Sequence, residues 1–463
     1  MDELAFLPAT EQARLVRERQ VSPVELVELY LGRIERLDPG LGAFVTVCAD
    51  AALADARAKG EEPAEAPFHG VPIALKDLDT TAGIRTTFSC AAFAEHVPDF
   101  NLAHVEKTRA AGFVVLGKTN TPEFGTTAFT DSPLNGPCRT PWDLDRNAGG
   151  SSGGAGAAVA AGLVGIAQGS DGGGSIRIPA SCCGLIGIKA SRGRVSNAPF
   201  VPGIGLGTTA PLARTVLDAA AYLDVVSGYE WGDPFPAAPP ERPFIEEVGA
   251  DPGPLRIALT TAAPIDTEVD AACVAAARDA AELLGSLGHH VEEAAPDWGG
   301  EELMEDFLPV WQTIPALYPV ADPSQLSALN RWYLDAASMT SSPAYAAAIG
   351  RLQLRARRIT ALWADYDLLL TPTLALPPMP VGWDTEPDDP REQFDRAARF
   401  TPFTAAFNVT GQPAVSLPLH WTDDGLPVGV QLVGPPLGEA LLLRVSSQLE
   451  AARPWRDRRP PHA

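Results

Sequence analysis

Lysine is scarce in this chain. Five of the 463 residues are lysine (Lys59, Lys76, Lys107, Lys118 and Lys189), so arginine carries most of the positive charge and a lysine inside an apolar segment stands out. Positive charge is short altogether: 35 Lys and Arg against 58 Asp and Glu leave a net charge of −23. That balance argues against a nucleic-acid-binding surface, which needs a basic face. No run approaches the roughly 20 apolar residues of a membrane span. The start, Met1-Asp-Glu-Leu-Ala, lacks the basic and apolar stretches of a signal peptide, so a cytoplasmic chain without a membrane anchor is expected. The six cysteines form no CxxC pair and no metal-ligand spacing, which argues against a disulfide scaffold and a metal site. No fixed-period repeat occurs.

What the chain does have is glycine in one place. Gly149-Gly-Ser-Ser-Gly-Gly and Gly169-Ser-Asp-Gly-Gly-Gly-Ser-Ile-Arg flank an apolar segment, Ala155 to Ala167. Glycine clusters commonly serve as turns or linkers. A linker is polar on both sides. These clusters are interleaved with apolar runs that read as a buried helix and a buried strand. Glycine also lets backbone N–H groups converge on an anion. A serine on such a turn is a candidate nucleophile beside an oxyanion hole.

The rest of the chain alternates strands and helices, which implies an α/β architecture. Ser22-Pro23-Val24-Glu25 is a capping box opening a helix to about Leu37, stopped by Pro39-Gly40. Ala51 to Lys59 reads as a helix ended by Gly60. Strands are expected at 71–75, 113–120, 255–260, 290–294, 367–373, 414–419 and 427–434, and helices at 269–287 and 441–449. Residues 121–147 read as a long ordered loop near a site, and 301–364 as mostly helical. By residue type alone, Lys76 is a solvated lysine paired with Asp77.

Several motifs compete for the serines. Gly149-Gly-Ser151-Ser-Gly153 fits a G-x-S-x-G nucleophile elbow, but that elbow needs a strand just before it, and residues 141–147 read as turn. No G-x-x-x-x-G-K-[ST] phosphate loop and no S-x-x-K pair occurs. None of the seven histidines stands in a convincing constellation with the serines.

Taken together, Gly70-Val-Pro-Ile-Ala-Leu-Lys-Asp, Pro141-Trp-Asp, the two glycine segments, Cys183-Gly-Leu-Ile-Gly-Ile-Lys, Pro211-Leu-Ala-Arg-Thr and Asn408-Val-Thr-Gly-Gln-Pro-Ala resemble the amidase signature family. The resemblance is strong over 20–230, moderate over the last hundred residues and poor over 235–400. It implies a central twisted mixed β-sheet covered on both sides by α-helices, in a single amidase domain spanning 1–463. Within it, the signature core would cover about 65–230, a variable substrate-facing region about 235–400, and a frayed tail about 453–463.

The resemblance further implies a Ser–cis-Ser–Lys triad: Lys76 as base, Ser151 as bridging serine and Ser175 as nucleophile, the family's spacing of 24 selecting Ser151 over Ser152. Gly172, Gly173 and Gly174 fall on the oxyanion-hole segment, and Asp171 and Arg177 match polar residues supporting that loop. Gly172 stands where many members carry a larger residue, and Ala190 where many have proline.

A lysine serves as base only when neutral, which burial achieves by lowering its pKa; Lys76 is the one lysine expected to be placed for that. The implied activity is hydrolysis of C–N bonds in small amides through a Ser175 acyl-enzyme. The same triad would also serve a carbamate (urethane), aryl-acylamide or nylon-oligomer hydrolase, and behind these stands the catalytic subunit of a tRNA-dependent amidotransferase. No metal or organic cofactor is implied, and the chain would act as a monomer or homodimer. Gly125, Thr126 and Thr127 are candidate substrate-pocket residues. Phe307, Leu308, Trp311, Trp332 and Tyr333 are candidates for an apolar acyl pocket, although ordinary helix packing is the better reading of each singly.

Overall fold

The computed structural model describes residues 2–200, 205–300 and 303–463. Thirteen strands occur among them: β1 (Phe44–Val47), β2 (Pro72–Lys76), β3 (Val114–Thr119), β4 (Arg139–Thr140), β5 (Asp143–Asn147), β6 (Ile166–Asp171), β7 (Ile186–Lys189), β8 (Thr208–Ala213), β9 (Arg256–Leu259), β10 (His290–Glu293), β11 (Leu368–Pro372), β12 (Ala414–Trp421) and β13 (Pro427–Val433). Eleven form one mixed sheet in the order β1-β3-β2-β6-β8-β7-β12-β13-β11-β9-β10, and β4 pairs with β5 separately. Helices flank the large sheet, so the expected α/β architecture holds. Every residue of β2, β3, β7, β11 and β13 is buried. Strands buried on both faces read as continuous apolar runs, which is why sequence finds them.

The central strand β8 escaped sequence reading because Pro211 sits inside it, and proline is normally confined to sheet edges. Here Pro211 lies opposite Gln168 of β6, in the middle of the sheet. The short strand β1 was also missed; only a half-buried tetrapeptide marks it.

The capping box at Ser22 forms as expected, with Glu25 N–H donating to Ser22 Oγ and the Glu25 carboxylate accepting from Ser22 N–H at 2.7 Å. The helix does not stop at Pro39-Gly40, however; it runs Pro23–Leu41. A proline in the last turn forfeits one backbone hydrogen bond. Asp38 then ties down the exit, its carboxylate accepting from Ala43 and Phe44 N–H. Similarly, the next helix spans Ala49–Glu61 and passes through Gly60 in its last turn, where glycine's cost is smaller than in a helix interior.

Two further expectations are corrected. The segment before Gly149 is the strand β5, not a turn, because it pairs with β4. The tail does not fray at its start: Trp455 is buried, and its Nε1 donates to Arg214 O at 2.9 Å. Among the described residues no helix is long and apolar enough to cross a membrane.

Candidate active site

Strands β2 and β6 are parallel neighbours, with Ala74 opposite Ala167. Their carboxyl ends therefore open on the same edge of the sheet, where open α/β sheets bind ligands. Lys76 is the last residue of β2 and Asp171 the last of β6. Lys76 is fully buried, so the solvated pairing with Asp77 does not form; the Asp77 carboxylate instead accepts from Thr87. The Lys76 N–H donates to Gln168 Oε1 at 2.9 Å, fixing the strand end. Its Nζ lies 2.7 Å from Ser151 Oγ and 3.1 Å from Ser170 Oγ. Burial lowers the Lys76 amine to about 7, opposed by the nearby charges of Asp79 and Asp171.

Two other lysines, Lys118 and Lys189, are buried as well, because β3 and β7 are also interior strands. Burial lowers both amines, Lys189 to about 7. Lys76 is thus not singled out by burial. Lys118 Nζ donates to Asp79 O and to Thr81 Oγ1, and Lys189 Nζ to Ala190 O at 3.0 Å. The distinguishing contact of Lys76 is with the hydroxyl of Ser151.

Ser151 follows a cis Gly150–Ser151 peptide, the geometry the resemblance implied. Its neighbour Ser152 takes a different role: Ser152 Oγ donates to Ser170 O at 3.2 Å and Ser152 N–H to Ser175 O at 3.2 Å. These bonds hold the two serine turns side by side. Gly125 backs Ser151. It has φ +71°, and a Cβ there would meet Leu78 Cδ1 at 2.7 Å and Ser151 Oγ at 3.0 Å, so only glycine fits.

The turn from Asp171 to Ser175 is held by one carboxylate. Asp171 accepts from Gly174 N–H at 2.8 Å, Ile176 N–H at 3.2 Å, Asn408 Nδ2 at 2.9 Å and both Nε and Nη2 of Arg177. Its carboxyl is held well below the usual range: burial pushes it up, but the Arg177 guanidinium and the hydrogen bonds prevail. Arg177 is completed by Gln431 Oε1 and Asn408 Oδ1, each at 2.7 Å. Gly174 has φ +132°, and a Cβ there would meet Thr404 Oγ1, which itself donates to Gly173 O at 2.7 Å. The expectation that Gly174 gives its own N–H to an oxyanion hole is corrected: that N–H is committed to Asp171. The N–H groups of Gly172, Gly173 and Ser175 donate to no backbone acceptor among the described residues.

Ser175 opens into a narrow cavity of about 60 Å³. Thr126, Thr127, Gly173, Phe307, Trp311 and Tyr333 line it. Gly125 lies behind Ser151 rather than on the cavity wall, and Leu308 and Trp332 are not among the lining residues. Phe307, Trp311 and Tyr333 thus do more than pack helices. The ring of Trp311 is held in place by its Nε1 donating to Thr126 O at 3.0 Å. Sequence reading passed over Ser170, Gln168, Thr404, Asn408 and Gln431. Gln431 left a trace, a single polar residue in an otherwise apolar strand, and Asn408 lies in a motif that carried the resemblance.

The nucleophile elbow lost its sequence objection once β5 proved to be a strand. Geometry replaces it: the elbow requires a histidine base, whereas the hydroxyl of Ser151 meets an amine.

Comparison with known proteins finds related chains. The family model described as Amidase matches residues 25–443. A putative amidase of Synechocystis sp. is 40% identical over 461 residues, covering 97% of this chain and 89% of that protein. The solved structure of 6-aminohexanoate cyclic dimer hydrolase complexed with substrate superposes with a TM-score of 0.94 at 36% identity, covering 99% of both chains. A bacterial aryl acylamidase structure superposes at 0.88 with 28% identity, covering 97% of both.

Proposed function

The chain belongs to the amidase signature family and is an amide hydrolase; from that premise we propose that Ser175 attacks the amide carbonyl, with Lys76 as base and Ser151 as relay. The observation that carries this reading is the 2.7 Å contact between the buried Lys76 amine and Ser151 Oγ. A serine hydroxyl is a weak nucleophile and needs a neighbouring base. Neutral Lys76 takes the proton of Ser151 as Ser151 takes that of Ser175. The Ser175 oxygen bonds to the carbonyl carbon, and the negative charge moves to the carbonyl oxygen. The N–H groups of Gly172, Gly173 and Ser175 receive that charge. As the tetrahedral carbon collapses, the C–N bond breaks and the relay returns the proton to the leaving nitrogen. Water then cleaves the acyl-enzyme by the same relay, releasing the carboxylic acid.

Small linear amides are the substrates proposed first. The likeness to 6-aminohexanoate cyclic dimer hydrolase and aryl acylamidase adds nylon oligomers and anilides, and carbamates present the same carbonyl. A hydrolysis panel of aliphatic amides, anilides, aryl carbamates and 6-aminohexanoate oligomers tests the range. A phosphonofluoridate tests the nucleophile: mass spectrometry is expected to find one adduct, on Ser175, and none in Ser175→Ala. An adduct on Ser151 or Ser152 instead reverses the assignment.

Acidity offers a second test. A base works deprotonated, so kcat/KM is expected to rise with pH through about 7, where Lys76 loses its proton, and to level off above. A profile flat from about pH 5 to 9 refutes the lysine base, since a general base must titrate.

A further inference from the structure

The cavity at Ser175, at about 60 Å³, has room for a thin chain and little more. A larger cavity of about 380 Å³ lies against it, and Thr126 and Thr127 line both. Three carboxylates line the larger one: Glu123, Asp131 and Asp384.

Glu123 is committed to the fold. Its Oε2 accepts from Ser327 N–H, Ser327 Oγ and Asn330 Nδ2. Asp384 is different. It is 4% exposed, and its Oδ1 has no hydrogen-bond partner among the described residues. A buried carboxylate oxygen without a donor is costly, and a donor brought by a ligand would relieve that cost. The neighbouring cations are engaged elsewhere. Arg396 Nη1 donates to Glu386 and to Trp383 O, each at 2.7 Å, and Arg139 Nη1 to Leu144 O at 2.5 Å. Burial, and then the charge of Asp131, push Asp384 up to about 7 against the backbone N–H groups of Asp384 and Thr385 and the charge of Arg396, and burial raises Asp131 against the Ser132 N–H and the charge of Arg139. A cation seated between the two reverses the second cause and supplies a donor for Asp384 Oδ1.

An organic cation fits better than a metal ion, because no group of three His, Cys, Asp or Glu among the described residues is arranged to hold one. An ammonium brings three donors on a compact head. We propose that this cavity receives a protonated amine of the substrate, so that preferred substrates are amides carrying a primary ammonium on a flexible chain. The scissile carbonyl sits at Ser175, and the chain passes Thr127 to end between Asp131 and Asp384. The proposal rests on Ser175 being the nucleophile, and it names the substrate class for that site.

Two measurements separate its failure from that of the underlying reading. The first is catalytic: kcat/KM for 6-aminohexanamide against heptanamide, its uncharged isostere. The charged amide is expected to win by about 10- to 100-fold, the range of a hydrogen bond to a charged group, mainly through KM. Asp384→Asn and Asp131→Asn are each expected to collapse that ratio toward one. The second is binding alone: calorimetry of 1-hexylammonium against 1-hexanol on the full chain. Hexylammonium is expected to bind more tightly, with the difference lost in Asp384→Asn. If both amides are cleaved equally and hexylammonium shows no advantage, the proposal is overturned while the hydrolase stands. If neither amide is cleaved but hexylammonium binds through Asp384, the cation site stands and the hydrolase reading for such amides falls. A preference that survives both substitutions overturns the assignment to these carboxylates.

Discussion

Lys76→Ala is expected to lower kcat/KM by about 10⁴- to 10⁶-fold, the range in which other serine hydrolases lose activity when their base or its partner is removed. Among the described residues, the amine is the one group hydrogen-bonded to Ser151 Oγ that can take up a proton at neutral pH. Without it, neither serine hydroxyl has an acceptor basic enough to activate it. Stability behaves differently. Burying an amine is itself costly, so truncation removes a penalty as well as packing. Lys76→Met retains the stem without the base. It is expected to keep a thermal midpoint near that of the wild type while remaining as inactive as Lys76→Ala. Because the three residues act as one relay, Lys76→Ala combined with Ser175→Ala is expected to be no worse than the poorer single variant. Near-wild-type turnover in a folded Lys76 variant would sink the assignment, and multiplying losses in the double variant would show that the two residues act separately.

Arg177→Met is expected to destabilise the fold by about 3–5 kcal/mol, the cost of leaving one member of a buried ion pair without its partner. Both Arg177 and Asp171 are fully buried, and their bond is bidentate. The loss also frees Gln431, Asn408 and Thr404 O from the guanidinium that joins them. The sign of its pH dependence follows from Asp171, whose folded pKa lies below its unfolded value. Such a group contributes stability that is present above the unfolded pKa and lost as pH falls through the folded one. The gap between wild type and Arg177→Met is therefore expected to be widest near neutrality and to narrow in acid. Denaturant unfolding at pH 7 and pH 3 measures both. Arg177→Lys is expected to recover only part of the loss, since an ammonium does not reproduce the planar fork. A variant within 1 kcal/mol of the wild type at pH 7 would mean that the pair does not hold the Asp171–Ser175 turn.

Much of this protein is legible in its sequence. Interior strands announce themselves as apolar runs, so β2, β3, β9 and β13 were found within a residue or two. The glycine turns were legible because few residue types suit such backbone, as Gly125 and Gly174 illustrate. The candidate triad was legible because it lies within motifs long enough to be specific.

What sequence left open depends on partners far along the chain. Lys76 and Lys118 look alike in sequence, each in an apolar strand ending. Strand pairing sets Lys118 beside Leu75, one residue before Lys76, yet their amines meet different groups, carbonyl and threonine oxygens in one case and serine hydroxyls in the other. Likewise, Phe307, Trp311 and Tyr333 carry the same apolar signature as any core residue, and only the docking of their helices against the Ser175 turn makes them cavity walls. Local sequence determined the backbone and which faces had to be buried, because propensity and hydrophobic pattern act over neighbouring residues. The tertiary structure decided which buried polar group meets which, because a charge's pKa and reach depend on atoms brought close only by the register of the sheet.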